Sequence, residues 1–237
     1  MITARGRSSG WAINISGFRP RRAVESASLA TLPCRPLHDT GLALRHWPAW
    51  LLREGPGASL EAATLERHIR EELPWAQPRL RLHGREHAVP RLCCWLADPG
   101  CAYRYSGMEH HPSPWSAPLL RLRSLLEEQL GCRFNSVLAN RYRGGDDAMG
   151  WHADDEPELV ADAPIASISL GASRTLRFRP RPGSAAAGRP ALALELADGD
   201  LLVMDPPTQR HWQHALPRRR RVSTERLNLT FRLVRPR

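Results

Sequence analysis

From residue 134 onward the chain alternates apolar and polar positions in short runs, the period-two pattern of strands with one buried face. The runs are SVLANRYR, PIASISLG, RTLRFRPR, ALALELA, GDLLVMD and RLNLTFRLV, mostly separated by Gly, Pro and Asp. Helical spacing precedes them twice. SLEAATLERHIREEL (59–73) sets Leu60, Leu65, Ile69 and Leu73 on one stripe behind Ser59 as N-cap. APLLRLRSLLEEQLG (117–131) repeats the stripe and ends at Gly131, a residue suited to the left-handed position after a helix. LALRHWPAWLL (42–52) reads as the first ordered strand and its exit, and 80–100 as short extended segments broken by Gly84, Pro90 and Gly100. RPRPGSAAAGRP (179–190) reads as a hairpin loop. Two helices followed by many strands predict an α+β protein with a β-sandwich or double-stranded β-helix core. Residues 1–41, rich in Arg, Ser and Pro with little periodicity, read as a flexible extension or an over-extended start, which leaves 42–237 as the domain.

Composition changes this picture in three ways. The 237 residues carry 34 basic side chains against 24 acidic ones, for a net charge of +10, and every basic one is arginine. Without lysine there is no Schiff base, no P-loop lysine and no kinase-type lysine. An all-arginine excess follows from GC-rich codons alone, but it also suits a polyanionic partner. No run approaches 18 uninterrupted apolar residues and no signal-type apolar stretch follows the N-terminus, so neither a membrane span nor a secretory leader is expected. The five cysteines include no CxxC pair, which fits a reducing cytosol better than a disulfide or zinc framework.

Three strands place polar groups on a shared face. In RLNLTFRLV, Leu227, Leu229, Phe231 and Leu233 lie on one side and Arg226, Asn228, Thr230 and Arg232 on the other. Asn140 and Tyr142 share a face in NRY. His152 and Asp154, two apart, point together if that segment is extended, and with one distant histidine they would complete the two-His, one-carboxylate triad of non-haem Fe(II) oxygenases. They sit in an arginine-free acidic stretch, Asp146 to Asp162. The distant ligand is His211 or His214 in QRHWQHALP, and spacing alone does not choose.

Taken together and in order, Asn140-x-Tyr142, His152-x-Asp154-Asp155-Glu156, PIASISLGASR, GDLLVM, HWQHALP and Arg226-x-Asn228-x-Thr230-Phe231-Arg232 resemble the AlkB family of Fe(II)- and 2-oxoglutarate-dependent dioxygenases, in particular its animal double-strand DNA repair branch. The resemblance implies a jelly-roll core over about 134–235, N-terminal supporting helices and a nucleotide-recognition lid over about 80–110. It implies His152, Asp154 and His214 as iron ligands, choosing His214 by the residues that follow it. Asn140, Tyr142, Arg226, Asn228 and Arg232 would contact 2-oxoglutarate. In AYRYSG, Tyr103, Tyr105 and Ser106 would line a nucleobase pocket, with Asp155 and Glu156 facing the base's exocyclic amine. Cys93-Cys94-Trp95 and Arg104 depart from the family pattern.

The activity so implied is oxidative demethylation of 1-methyladenine and 3-methylcytosine in DNA, releasing formaldehyde as 2-oxoglutarate and O2 give succinate and CO2. Alkylated nucleic acid would be the partner, DNA ahead of RNA, and Arg218, Arg219, Arg220 and Arg221 would be its phosphate contacts, on a cytoplasmic monomer. The alternatives are an RNA demethylase, an oxygenase of the same fold that hydroxylates a protein or small molecule, and a non-catalytic nucleic-acid-binding module. The last predicts loss of a metal ligand.

Overall fold

In a computed structural model of the chain, the described residues are 34–39, 41–52, 62–82, 85–101, 103–105, 108–110 and 112–235. In chain order they form β1 (Arg35–Asp39), β2 (Leu42–Trp47), α1 (Ala62–Glu72), β3 (Arg79–Leu82), β4 (Arg85–Ala88), β5 (Leu92–Ala97), β6 (Tyr103–Tyr105), β7 (Met108–His110), α2 (Ala117–Leu130), β8 (Ser136–Tyr142), β9 (Met149–His152), β10 (Ile165–Gly171), β11 (Arg174–Pro180), β12 (Leu192–Leu196), β13 (Leu201–Met204), α3 (Pro207–His211), β14 (Trp212–Leu216) and β15 (Arg226–Arg232). No helix among them is long and apolar enough to cross a membrane.

Seven strands make one sheet in the order β1-β2-β13-β10-β15-β8-β5, and four make a second in the order β12-β11-β14-β9. All pairings of these strands are antiparallel. Chain neighbours are separated in space, as where β10 lies between β13 and β15, and this interleaving of two sheets is the jelly-roll pattern. β3–β4 and β6–β7 form hairpins outside both sheets.

The alternation in β15 explains why it is central. Leu227, Leu229 and Phe231 are almost wholly buried in a core that also holds Leu65 and Ile69 of α1 and Leu119, Leu122 and Leu126 of α2. The Phe231 ring meets Phe134 and Trp115 at centroid distances of 6.0 and 6.3 Å. β13 reads as a continuous apolar run because both its faces are buried. Leu201 and Val203 join that core, and Leu202 and Met204 join a second one with Phe178 and Trp212. Gly131 ends α2 at φ 63°, and its N–H bonds the Glu127 carbonyl at 2.9 Å. Glu225, just before β15, accepts hydrogen bonds from Arg70 of α1 and Arg141 of β8, tying helix to sheet.

One sequence expectation is corrected. Arg35–Asp39, assigned to the flexible extension, instead pair residue for residue with β2 as the edge of the large sheet. Residues 1–33 and 40 of that extension, and the Ser59 cap, lie outside the described residues.

Candidate metal and co-substrate site

Register brings the polar faces together. β15 lies between β8 and β10, with Arg226 opposite Tyr142, Asn228 opposite Asn140 and Ser169, and Thr230 opposite Ser167. Residues directly opposite share a face. The even-numbered side of β15 therefore meets Asn140, Tyr142, Ser167 and Ser169 inside the roll, and His152, Asp154 and His214 line the same pocket.

Arg226 sits at the closed end of that pocket and is only 3% exposed. No carboxylate pairs with it among the described residues. Its Nη2 donates to Ser169 Oγ at 2.8 Å, and its buried Nε has no partner. Burial pulls its pKa down to about 10, a direction that the neighbouring Tyr142 opposes. The Tyr142 ring lies near two guanidinium groups, those of Arg226 and Arg174, at 5.6 and 5.9 Å. A buried cation with no direct ion-pair partner is costly. Nearby, Asn228 Nδ2 donates to Ser167 Oγ and the Ile168 carbonyl, and Thr230 Oγ1 donates to Asn228 Oδ1. Asn140 Oδ1 accepts from Arg91 Nε at 2.8 Å and from Cys93 Sγ at 3.5 Å, which fixes its amide.

At the other end, His152 on β9 stands opposite His214 on β14, and their rings are 4.2 Å apart. Their ligand atoms and those of Asp154 all lie within 4.8 Å of one another. His152 Nδ1 is 2.9 Å from the Gly150 carbonyl, which can only accept. That places the proton on Nδ1 and leaves Nε2 as a free lone pair, 3.6 Å from Asp154 Oδ1. Burial and the adjacent His152 hold the His214 pKa down at about 3, so its imidazole is neutral at physiological pH, and its buried Nδ1 lacks a partner. Burial by itself would raise the Asp154 pKa, but Arg232 and the two histidines outweigh it and keep the carboxylate ionised. Two imidazoles and one carboxylate, with an orphaned ring nitrogen between strands, fit a divalent Fe(II)-type ion.

Support comes from a second role of Arg232, and from Gln209, which sequence reasoning missed. Arg232 donates to Asp154 Oδ2 from Nη2 at 2.8 Å and Nε at 3.2 Å, leaving Oδ1 toward the histidines. Arg232 thus braces the carboxylate in addition to lining the pocket that Arg226 closes. The Asp154 N–H is held by Gln209 Oε1 of α3 at 3.0 Å. Ser167 and Ser169 were legible in IASISLG as two small polar residues alternating with apolar ones. Gln209 carried no such signal.

The structure resolves the histidine choice. His214 belongs to the cluster, whereas His211 packs its ring against Gly41. A wider cleft of about 410 Å3 opens beside the cluster, lined by Arg91, Cys93, Trp95, Met149, Glu156 and Arg232 among others. Glu156 lines it. Asp155 does not, because its carboxylate pairs with Arg181 at 2.5 Å, outside the cleft wall. Tyr103 and Tyr105 fall on the β6–β7 hairpin, and Ser106 lies outside the described residues. Arg218 to Arg221 are exposed, and their loop is pinned where Gly145 and Arg219 exchange backbone bonds with Val222 and each other.

The 2OG-Fe(II) oxygenase superfamily matches residues 44–232. Relatives include the mouse (Mus musculus) DNA oxidative demethylase ALKBH2, 41% identical over 74% of this chain and 76% of that one. The human (Homo sapiens) alpha-ketoglutarate-dependent dioxygenase alkB homolog 3 is 36% identical over 74% of this chain and 63% of that one. The chain belongs to the AlkB branch of the 2OG-Fe(II) oxygenase superfamily. Membership makes it an Fe(II)-dependent dioxygenase that uses 2-oxoglutarate and O2, in keeping with the His–Asp–His cluster. A DNA oxidative demethylase ALKBH2 from Arabidopsis thaliana aligns over more of the chain, at 33% identity across 90% of it and 73% of the relative. The solved structure of OsALKBH1 has the same fold, with a TM-score of 0.53 at 15% identity over 85% of this chain and all of that one.

Proposed function

We propose that the chain is an oxidative demethylase that repairs N-alkylated bases, 1-methyladenine and 3-methylcytosine among them, in DNA. One observation carries the co-substrate half of this reading: a buried arginine with no ion-pair partner among the described residues lines the same pocket as a two-His, one-carboxylate cluster. A dicarboxylate long enough to reach from Arg226 to the cluster suits both ends. Fe(II) with 2-oxoglutarate and O2 supplies the oxidising power that hydroxylates an N-alkyl carbon, with succinate and CO2 as co-products.

The protein's own groups do the rest. Arg226 would pair with the remote carboxylate, and Asn140, Tyr142 and Asn228 would bind along the pocket. His152, Asp154 and His214 would hold the metal, with Arg232 and Gln209 steadying Asp154. The 410 Å3 cleft would take the base turned out of its helix. There Glu156 offers an acceptor for an exocyclic amine. The hydroxymethyl amine so formed then collapses to formaldehyde and the repaired base. The β3–β4 and β6–β7 hairpins stand outside the two main sheets on either side of β5, a position that suits a nucleotide-recognition lid.

Formaldehyde release from matched N-methylated DNA and RNA oligonucleotides tests the substrate. Release from DNA in excess of RNA supports the reading. Release from RNA alone would move the assignment to RNA, and 2-oxoglutarate turnover with neither polymer would move it to a protein or small molecule.

A further inference from the structure

The outer face of the four-stranded sheet bears a feature that catalysis does not use. β9 and β14 pair at His152–His214 and at Met149–Leu216, so Gly150 and Trp151 together oppose Ala215 in a bulge. Met149 and His152 both line the inner pocket, and the extra residue turns Trp151 the other way. The indole is 38% exposed, one of three large apolar side chains so exposed among the described residues. Arg179 lies over its ring at 4.5 Å and is held there by Gln213 Oε1, which accepts from Nε and Nη2 at 3.0 and 2.9 Å.

The surroundings are basic. Pairing places Thr175, Arg177 and Arg179 of β11 on this face with Gln213 and Ala215 of β14. None of the outward residues of β9, β11 and β14 is acidic; the nearest carboxylate by register is Glu195, which lies opposite Thr175 on β12. Arg177 is exposed and has no hydrogen bond or ion pair among the described residues. At the near end of β11, Arg219 donates to Thr175 Oγ1 at 3.2 Å, so the exposed 218–221 loop continues this face. At the other edge, Met149, His152 and Ala153 belong to the wall of the 410 Å3 cleft, on either side of Trp151. The face thus lies between the arginine loop and the β9 edge strand, whose Met149 and His152 line the cleft.

We infer that this face docks an unpaired stretch of nucleic-acid strand next to the target base, with one base stacked on Trp151 and phosphates on Arg177 and Arg179. The inference rests on the nucleic-acid reading above. Stacking on a surface aromatic needs no particular base, and arginines alongside it follow the backbone, the combination found in single-strand binders. The indole is kept partly exposed by the bulge, with Arg179 over its ring as a cationic neighbour.

The test is a two-by-two comparison of binding by fluorescence anisotropy, which needs no turnover. Wild type and Trp151→Ala are titrated with a labelled methylated single strand and with the same strand made abasic on both sides of the lesion. The expected result is roughly tenfold weaker binding of the intact strand by Trp151→Ala, and equal binding of the abasic strand by both proteins. Trp151→Phe, which keeps a ring, should stay within about threefold of wild type, and Trp151→Leu, which keeps apolar bulk without a ring, replaces the Ala variant in the comparison if that one does not fold. Arg177→Ser should lower the slope of log affinity against log salt by about 0.7. Equal affinity of wild type and Trp151→Ala for the intact strand would overturn the inference. So would equal losses on both strands, which would signify charge or fold effects rather than a stacked base. Formaldehyde release from wild type is assayed alongside. Its absence from wild type would instead count against the demethylase reading, leaving the binding contrast to stand on its own.

Discussion

Replacing Arg226 by methionine removes a cation that the fold keeps at a cost. Its pKa falls from the usual arginine range to about 10, a drop of somewhat more than two pH units, worth about 3 kcal/mol against the charged form. The sign follows from the direction: the charged form is disfavoured in the folded state, and at neutral pH that cost is present in full. Against it stand the hydrogen bond to Ser169, about 1.5–3 kcal/mol, and the contact with Tyr142, about 1–2 kcal/mol. The two sides nearly cancel. Arg226→Met should therefore change the stability of the ligand-free protein by no more than about 2 kcal/mol, or roughly 4–8 °C in Tm for a chain of this size. Its affinity for 2-oxoglutarate should fall a hundredfold or more, because the ligand's carboxylate would enter the pocket without its counter-ion. Calorimetry with Mn(II) in place of iron reads both quantities. At 100 times its Kd, 2-oxoglutarate should stabilise wild type by about 2.7 kcal/mol and the variant hardly at all. A ligand-free loss of 3–5 kcal/mol, as when a structural buried ion pair is broken, would refute the reasoning, as would wild-type affinity for 2-oxoglutarate.

Gly145→Ala places a Cβ onto the Arg219 carbonyl, so it should displace the 217–222 loop and make it cleavable in limited proteolysis while metal binding is retained. Serine at Arg218, Arg219, Arg220 and Arg221 should flatten the salt dependence of nucleic-acid affinity by about 2–3 in log–log slope, with Mn(II) affinity unchanged in calorimetry. Burial would raise the Asp200 pKa, but His46 and the N–H groups of Ala49 and Ala197 outweigh it and lower it, so its stabilising effect is present at neutral pH and is lost as pH falls through the folded value. Asp200→Asn should cost about 3 kcal/mol at pH 7, and its denaturation midpoints should converge on wild type as pH falls below the usual carboxylate range.

Much of the site could be read from residue alternation. The four polar residues of RLNLTFRLV have one face because strands have period two, and the structure puts Arg226, Asn228 and Thr230 in the pocket for that reason. His152-x-Asp154 carried the same information. What one sequence could not carry was pairing across the sheets. His211 and His214 differ only in which one a bulged β9–β14 register sets opposite His152, and no local spacing encodes that. Asp155 follows a metal ligand in the chain, yet Arg181, on a different strand connection, turns it away from the cleft. β1 escaped notice because an exposed edge strand such as RPLHD needs no apolar face.

Anaerobic reconstitution with Fe(II), followed by admission of air and simultaneous assay of succinate and formaldehyde with N-methylated DNA, decides whether the pocket does the chemistry its residues suggest. Wild type should release the two in equal amounts, and His152→Ala neither. Succinate no higher than in the His152→Ala control would contradict the assignment of the cluster as the reaction centre.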